Sequence, residues 1–313
     1  MLKMNNQLNL TSTTLLKDLR VLLEELITKA EASAFEQRAQ LNHSVQPTKI
    51  PCNLGNPLKI ASIDSTCITL NATSSNLTLA ARATVITHKP QGGYLCIRSS
   101  PIVREFSNLD AVVGQSFTQE RVESVVRGAL EMCIIKRLLE EQQSEMILVD
   151  GVLDEPLGSP FREFKRKLVS EALSREVDLV GFSKDSRLPP IVALLSGGYA
   201  IPDTPWFIYA SQLSFSGLDG ESGVYVARLA EQGLTLRVDL ISRRKAEDVF
   251  ADLITSDRYY RGYPESLRLA HHLTVFTGLE VLTLKVATKR VEAPIIELGG
   301  RRALLLGSLK RSR

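Results

Sequence analysis

Polar and apolar residues alternate through "KIASIDSTCITL", residues 59–70, as in a strand with two unlike faces. Ile60, Ser62, Asp64, Thr66 and Ile68 fall on one side, and Ala61, Ile63, Ser65 and Cys67 on the other. Two more strand-like stretches, "NLTLAARATVITH" and "GYLCIRSSPIVREF", follow the turn-prone segments "NATSSN" and "KPQGG". Helical periodicity then takes over in "TQERVESVVRGALEMCIIKRLLEEQQS", opened by Thr118. That helix leads into the apolar strand "EMILVDGVL", a charged helix over "SPFREFKRKLVSEALSREV", and the strand "DLVGFSK". From residue 206, "WFIYASQLSF", "GVYVARLA" and "LTLRVDLI" predict further strands, then helices around 245–255 and 264–277, and a tail that reads strand-like and finally basic.

The order β-β-β-α-β-α-β constrains the topology. Three strands joined by short turns favour antiparallel neighbours, whereas strands reached through a helix favour parallel additions to the same sheet. The predicted fold is therefore an α/β, ribonuclease H-like mixed sheet flanked by helices, with an N-terminal helix and a C-terminal β/α extension. The N-terminal helix is "TTLLKDLRVLLEELITKAEASAFEQRAQL", whose Leu15, Leu19, Leu22, Leu23 and Ile27 recur at helical spacing. Its stripe either packs on its own domain or serves an assembly contact. The Pro- and Asn-bearing stretch "NHSVQPTKIPCNLGNP" breaks it, which predicts a helical segment at 1–50 and a main domain at 51–313.

Composition adds little beyond class. The 313 residues are 44% hydrophobic and 23% charged, with a net charge of +3, as expected of a globular chain with material for a sizeable core. No apolar run approaches the roughly 18 residues of a membrane span, and the polar start "MLKMNNQLNLTSTT" is unlike a secretory signal. Cys52, Cys67, Cys96 and Cys133 lack C-x-x-C spacing and read as free core thiols of a cytoplasmic protein.

Candidate chemistry resides in acids. Asp64 lies midway along the first strand, and Asp150 closes the fourth, "MILVD", two strands that neighbour each other in a ribonuclease H-like sheet. The long helix offers Glu123 and Glu131, with Arg127 four residues from each. Each acid also has a plain reading, an Asp-Gly turn at 150–151 and a solvated helix face at 123 and 131. Converging, they would form an oxygen-ligand site for hard divalent cations. Two such ions about 4 Å apart can activate water and stabilise the leaving oxygen of a phosphodiester. His271 sits in the late helix beyond Tyr263 and Pro264, and its imidazole could complete a manganese site, which tolerates mixed nitrogen and oxygen ligands. Lys184, after "DLVGFS", could stabilise charge on a scissile phosphate, and Arg187 could touch the nucleic-acid backbone.

Four blocks in this order, "IDST" at 63–66, "RGALE" at 127–131 with "ILVDG" at 147–151, "VGFSKDSRL" at 180–188 and "GYPESLRLAHH" at 262–272, make the chain resemble the NurA family. The resemblance implies a manganese-dependent deoxyribonuclease, with magnesium as the alternative ion. It implies 5′–3′ exonuclease and single-strand endonuclease action in DNA-end processing for recombinational repair. It further implies a homodimer working with a HerA-type hexameric ATPase on DNA ends and single strands. By the same resemblance Asp64, Glu131, Asp150 and His271 hold the ions, with Lys184 and Tyr263 at the phosphate. Where the family often has Asp-Gly-Ser, this chain reads Asp64-Ser65-Thr66 and Asp150-Gly151-Val152, so the acids are kept and a hydroxyl at 152 is not. The competing expectation is a catalytically silent nucleic-acid-binding or adaptor subunit of the ATPase.

Overall fold

The computed structural model describes residues 17–23, 47–51, 57–72, 76–88, 93–107, 119–153, 161–184, 204–213 and 221–288. Two long strands, β2 (Ile60–Ala72) and β3 (Asn76–His88), pair antiparallel, as the short connection between them favours. β4 (Tyr94–Arg98) and β5 (Ile102–Ser107) both pair with β3. The single third strand expected over "GYLCIRSSPIVREF" is thus two strands, broken at Ser99–Pro101. Proline has no N–H for a ladder, and the Ser99 hydroxyl instead accepts the Ala83 N–H. This edge position also leaves Cys96 exposed, correcting the expectation of a core thiol there, while Cys67 and Cys133 are buried. Cys52 lies outside the described residues.

Helix α1 (Gln119–Glu141) leads to β6 (Met146–Asp150), and α2 (Arg162–Ser174) leads to β7 (Asp178–Ser183). β6 joins β2 in parallel and β7 joins β6 in parallel, giving the order β4-β3-β2-β6-β7 of a ribonuclease H-like sheet. β10 (Leu236–Ser242), β9 (Glu221–Arg228), β8 (Trp206–Ser211) and the short β1 (Thr48–Lys49) extend it antiparallel beyond β7. The stretch read as a break at 42–57 therefore contributes an edge strand at β1. α3 (Ala246–Ser256), the hairpin β11 (Tyr259–Tyr260) and β12 (Tyr263–Pro264), and α4 (Glu265–Thr274) complete this unit, which runs to Val275. The remainder is a separate unit, and its described helix α5 (Gly278–Thr288) was not anticipated from the sequence. Thr277 and Glu280 form a capping box at its start, each bonding the other's backbone N–H.

The sheet separates two cores. One face buries Ala61, Ile63, Ile147 and Val149 against α1 and α2, and the other buries Ile60, Met146, Leu148 and Phe182 with α3 and α4 residues. Leu19, Leu22 and Leu23 are buried in the first core, and Asp18 pairs with Arg137 of α1 at 2.7 Å. The N-terminal stripe thus packs on its own chain at these positions, while Leu15 and Ile27 lie outside the described residues. No described helix is long and apolar enough to cross a membrane.

Candidate metal centre

Strand register brings the two aspartates together. β2 and β6 pair from Ile60–Met146 to Ile63–Val149, and the next step in that register is Asp64 opposite Asp150. Neighbouring strands lie about 4.8 Å apart, so the carboxylates emerge side by side just where the ladder opens. Both belong to the sheet face that carries Ile60, Leu148 and Phe182, the face covered by α4. Asp64 follows Ile60 and Ser62 on this face and looks at α4, as Ser62 does through Ser266. It is 4% exposed, and its Oδ1 accepts the Ser65 N–H at 2.8 Å.

Helix α4 supplies the third group. His271 Nδ1 lies 3.0 Å from Asp64 Oδ2 and 3.6 Å from Asp150 Oδ2. One donor atom from each of Asp64, Asp150 and His271 falls within 4.8 Å of the others, a set that could hold a cation. The His271 side chain is 49% exposed, so the centre opens to solvent on the outer side of α4. The helix starts at Pro264, which occupies the N-cap rather than the first turn and offers no capping side chain. Asp257 takes over that role from a distance. Its carboxylate accepts the Ser266 N–H at 3.2 Å, the Ser266 hydroxyl, the Tyr94 hydroxyl at 3.0 Å and the Arg258 N–H at 2.7 Å. Ser266 in turn meets Ser62 Oγ at 2.5 Å, and Thr274 Oγ1 reaches the Asp64 carbonyl at 3.4 Å. The helix is thereby fixed to β2 on both sides of His271.

The turn after Asp150 is fixed as firmly. Asp239, held by Arg237 at 2.8 and 3.1 Å, accepts the Leu153 N–H at 2.9 Å. The turn lies so close to β7 that only glycine fits at 181, where a Cβ would meet the Gly151 carbonyl oxygen at 2.7 Å.

Electrostatics favour a cation. Burial, and then the Asp150 charge, raise the Asp64 carboxyl above its ordinary range, a cost that a metal ion would relieve. Tyr263 is buried at the same place, and its hydroxyl has no hydrogen bond of normal geometry. Burial followed by the Asp150 charge pushes this phenol upward, so it stays protonated. Lys184 Nζ lies 3.5 Å from Asp150 Oδ2 and 4.5 Å from the Tyr263 ring centroid. The donor set of two carboxylates and an imidazole, beside a buried phenol and the Lys184 ammonium, fits a divalent ion with mixed ligands and an anionic substrate.

Glu131 is placed differently from the other candidates. It approaches from α1, on the opposite face of β2 from Asp64, and its Oε1 accepts the Ser65 hydroxyl at 2.6 Å. Its contact with the Asp–Asp–His group passes through Ser65, the residue next to Asp64. Burial raises its carboxyl from 4.5 to about 7. Glu123 binds Thr69 Oγ1 at 2.7 Å, farther along β2 and away from the group. Arg187 lies outside the described residues.

Ser62, Gly181, Asp239, Asp257 and Ser266 were not singled out from the sequence. Ser62 shares the Asp64 face of β2, and Arg237 and Asp239 interrupt the apolar "LRVDLIS" at period two, which were the available signals. Nothing local marks Asp257 or Ser266.

The fold and this group define an α/β protein of the ribonuclease H-like class with an Asp–Asp–His centre at the fork between β2 and β6. A family model described as the NurA domain matches residues 58–276, and the chain belongs to the NurA family. Among solved structures, the NurA nuclease from Sulfolobus solfataricus is similar over 90% of this chain and 96% of its own, at 15% identity and a TM-score of 0.56. Another NurA crystal structure is similar over 78% of this chain and 91% of its own, at 9% identity and a TM-score of 0.51. These likenesses concern the fold. No curated protein matches the sequence.

Proposed function

We propose that this chain is a metal-dependent DNA nuclease that hydrolyses phosphodiesters at the Asp64–Asp150–His271 centre. The observation that carries this reading is the shared register of Asp64 and Asp150 beneath His271 Nδ1, 3.0 and 3.6 Å from their carboxylates, in a chain of the NurA family. When bound there, a divalent ion supplies Lewis acidity and charge for an in-line displacement at phosphorus. The chain's own groups do the rest. Asp64, Asp150 and His271 hold the ion, and Glu131 steadies Asp64 through Ser65 or joins the ligands when its carboxyl is ionised. Lys184 places an ammonium where negative charge develops on the phosphate. The Tyr263 hydroxyl, protonated and close to Asp150, can donate to a phosphate oxygen.

The finer assignments follow the family resemblance. They are manganese as the working ion with magnesium as alternative, 5′–3′ exonuclease and single-strand endonuclease action on DNA ends, and a part in recombinational repair. A homodimer, a HerA-type hexameric ATPase partner and a cytoplasmic location belong to the same reading. A manganese titration of cleavage on an end-labelled single-stranded oligodeoxynucleotide tests it. Cleavage should rise with manganese and stop in EDTA. Metal-independent cleavage, or DNA binding with no cleavage at any manganese concentration, would overturn it, the latter in favour of a silent DNA-binding subunit.

A further inference from the structure

A cationic and aromatic hairpin adjoins the metal centre through Tyr263. The β11–β12 hairpin turns through Arg261 and Gly262, both with positive φ (+53° and +86°), as a tight two-residue hairpin of the I′ type requires. The tip is held against its surroundings by the Leu234 N–H to the Arg261 carbonyl at 2.8 Å. It is also held by close approach of Gly262 to Gly233, where a Cβ on either would meet backbone at 2.9–3.1 Å. Tyr259 anchors its base, with its hydroxyl on the Leu253 carbonyl at 2.9 Å.

This hairpin places Tyr260 directly opposite Tyr263. Antiparallel partners share a face, so Tyr260 leaves the hairpin on the side of Tyr263, whose ring centroid lies 4.5 Å from Lys184 Nζ. Tyr263 is buried, whereas Tyr260 is 55% exposed. The guanidinium carbons of Arg261 and Arg268 lie 5.7 and 5.1 Å from the Tyr260 ring centroid. Glu265 fixes the Arg268 guanidinium through both carboxylate oxygens, at 2.5 and 2.7 Å. Arg268 precedes His271 by three residues on α4, so the two side chains are neighbours on one helix face.

An exposed aromatic ring with two guanidinium groups near it, paired in the hairpin with Tyr263, has the chemistry of a single-strand platform: a base stacks on the ring or guanidinium plane, and the cations meet flanking phosphates. We infer that Tyr260, with Arg268 and Arg261, forms a subsite for the nucleotide adjoining the scissile phosphate of a single strand, and that Tyr260 stacks on its base. The inference rests on the nuclease reading and adds to it how the strand is held.

The test is binding by the full chain in EDTA, where the nuclease reading expects no cleavage, of a short single strand carrying 2-aminopurine, read by anisotropy and by quenching. Tyr260→Ala should weaken binding about 5- to 100-fold. It should also abolish the quenching at one position, while Tyr260→Trp retains both. Removing that base should weaken binding to the parent and not further weaken binding to Tyr260→Ala. Arg268→Ala should weaken binding and lower the salt dependence by about one phosphate contact. Tyr260→Ala with parental affinity and parental quenching would overturn the inference. If that variant also shows manganese-dependent cleavage with an unchanged KM, the nuclease reading stands and only the subsite falls. A parent that neither binds nor cleaves single strands would overturn both.

Discussion

Gly181→Ala probes how far the geometry around Asp150 depends on backbone packing rather than on the ligands themselves. The added Cβ would lie 2.7 Å from the Gly151 oxygen, 2.9 Å from Leu153 Cγ and 3.1 Å from Leu153 N. Comfortable contacts to carbon are about 3.5–4.0 Å, so the turn must retreat from β7 by several tenths of an ångström. Two of the three close atoms are backbone and cannot rotate away. The retreat carries Gly151, the peptide neighbour of Asp150, and stretches the 2.9 Å bond from Leu153 N–H to Asp239. Overpacking of this kind costs about 1–3 kcal/mol. For a unit of this size that corresponds to a fall in Tm of about 2–4 °C per kcal/mol. Displacement of a ligand support lowers metal affinity by about 10- to 100-fold. Differential scanning fluorimetry and calorimetric titration with Mn2+ measure both. Gly278→Ala is the control, because a Cβ there has no neighbour within 4 Å. A Gly181→Ala protein with parental Tm and parental Mn2+ affinity would refute the reasoning.

Glu131→Gln keeps the acceptor for Ser65 but removes a buried charge, and its effect depends on pH. The folded carboxyl titrates at about 7, above its ordinary 4.5, so its cost to folding is absent below 4.5, grows as the pH rises to 7, and is constant above. In EDTA the variant should match the parent at pH 4 and exceed it by up to roughly 3 kcal/mol at pH 8 in urea unfolding. Equal stability at pH 8 would contradict the buried-charge account. Ser266→Ala breaks the link from Asp257 to Ser62 while leaving the helix N–H in place. It should weaken Mn2+ binding by about tenfold with little loss of Tm, and unchanged affinity would mean that α4 is held by its other contacts.

Much of this was legible in the alternation of the strands. Period two in "KIASIDSTCITL" already placed Asp64 and Ser65 on opposite faces, and element order made β2 and β6 neighbours. The one-to-one register of Asp64 and Asp150 depends on how two distant strands align, and no local pattern encodes that. The position of Glu131 was hidden for a related reason. A buried helix such as α1 carries apolar residues on much of its circumference, including the consecutive Met132, Cys133, Ile134 and Ile135, so its pattern does not show which strand residue each acid meets. Glu131 meets Ser65, while the Asp64 face belongs to α4. Asp257 acts on a helix that has no capping side chain of its own, and it also gathers Tyr94 from a strand 163 residues earlier. Helix α5 was missed because "GLEVLTLKVAT" mixes β-branched and leucine residues, though its Thr277–Glu280 capping box was there to be read.

The central claim is that Asp64 and Asp150 hold the ion on which phosphodiester hydrolysis depends. Its most direct test is manganese-dependent cleavage of a labelled single strand by Asp64→Ala and Asp150→Ala, each first shown to have parental circular dichroism and Tm. The account predicts that both folded variants cleave no faster than the parent in EDTA, because each has lost an oxygen ligand of the same centre. Near-parental manganese-dependent cleavage by either folded variant would contradict it.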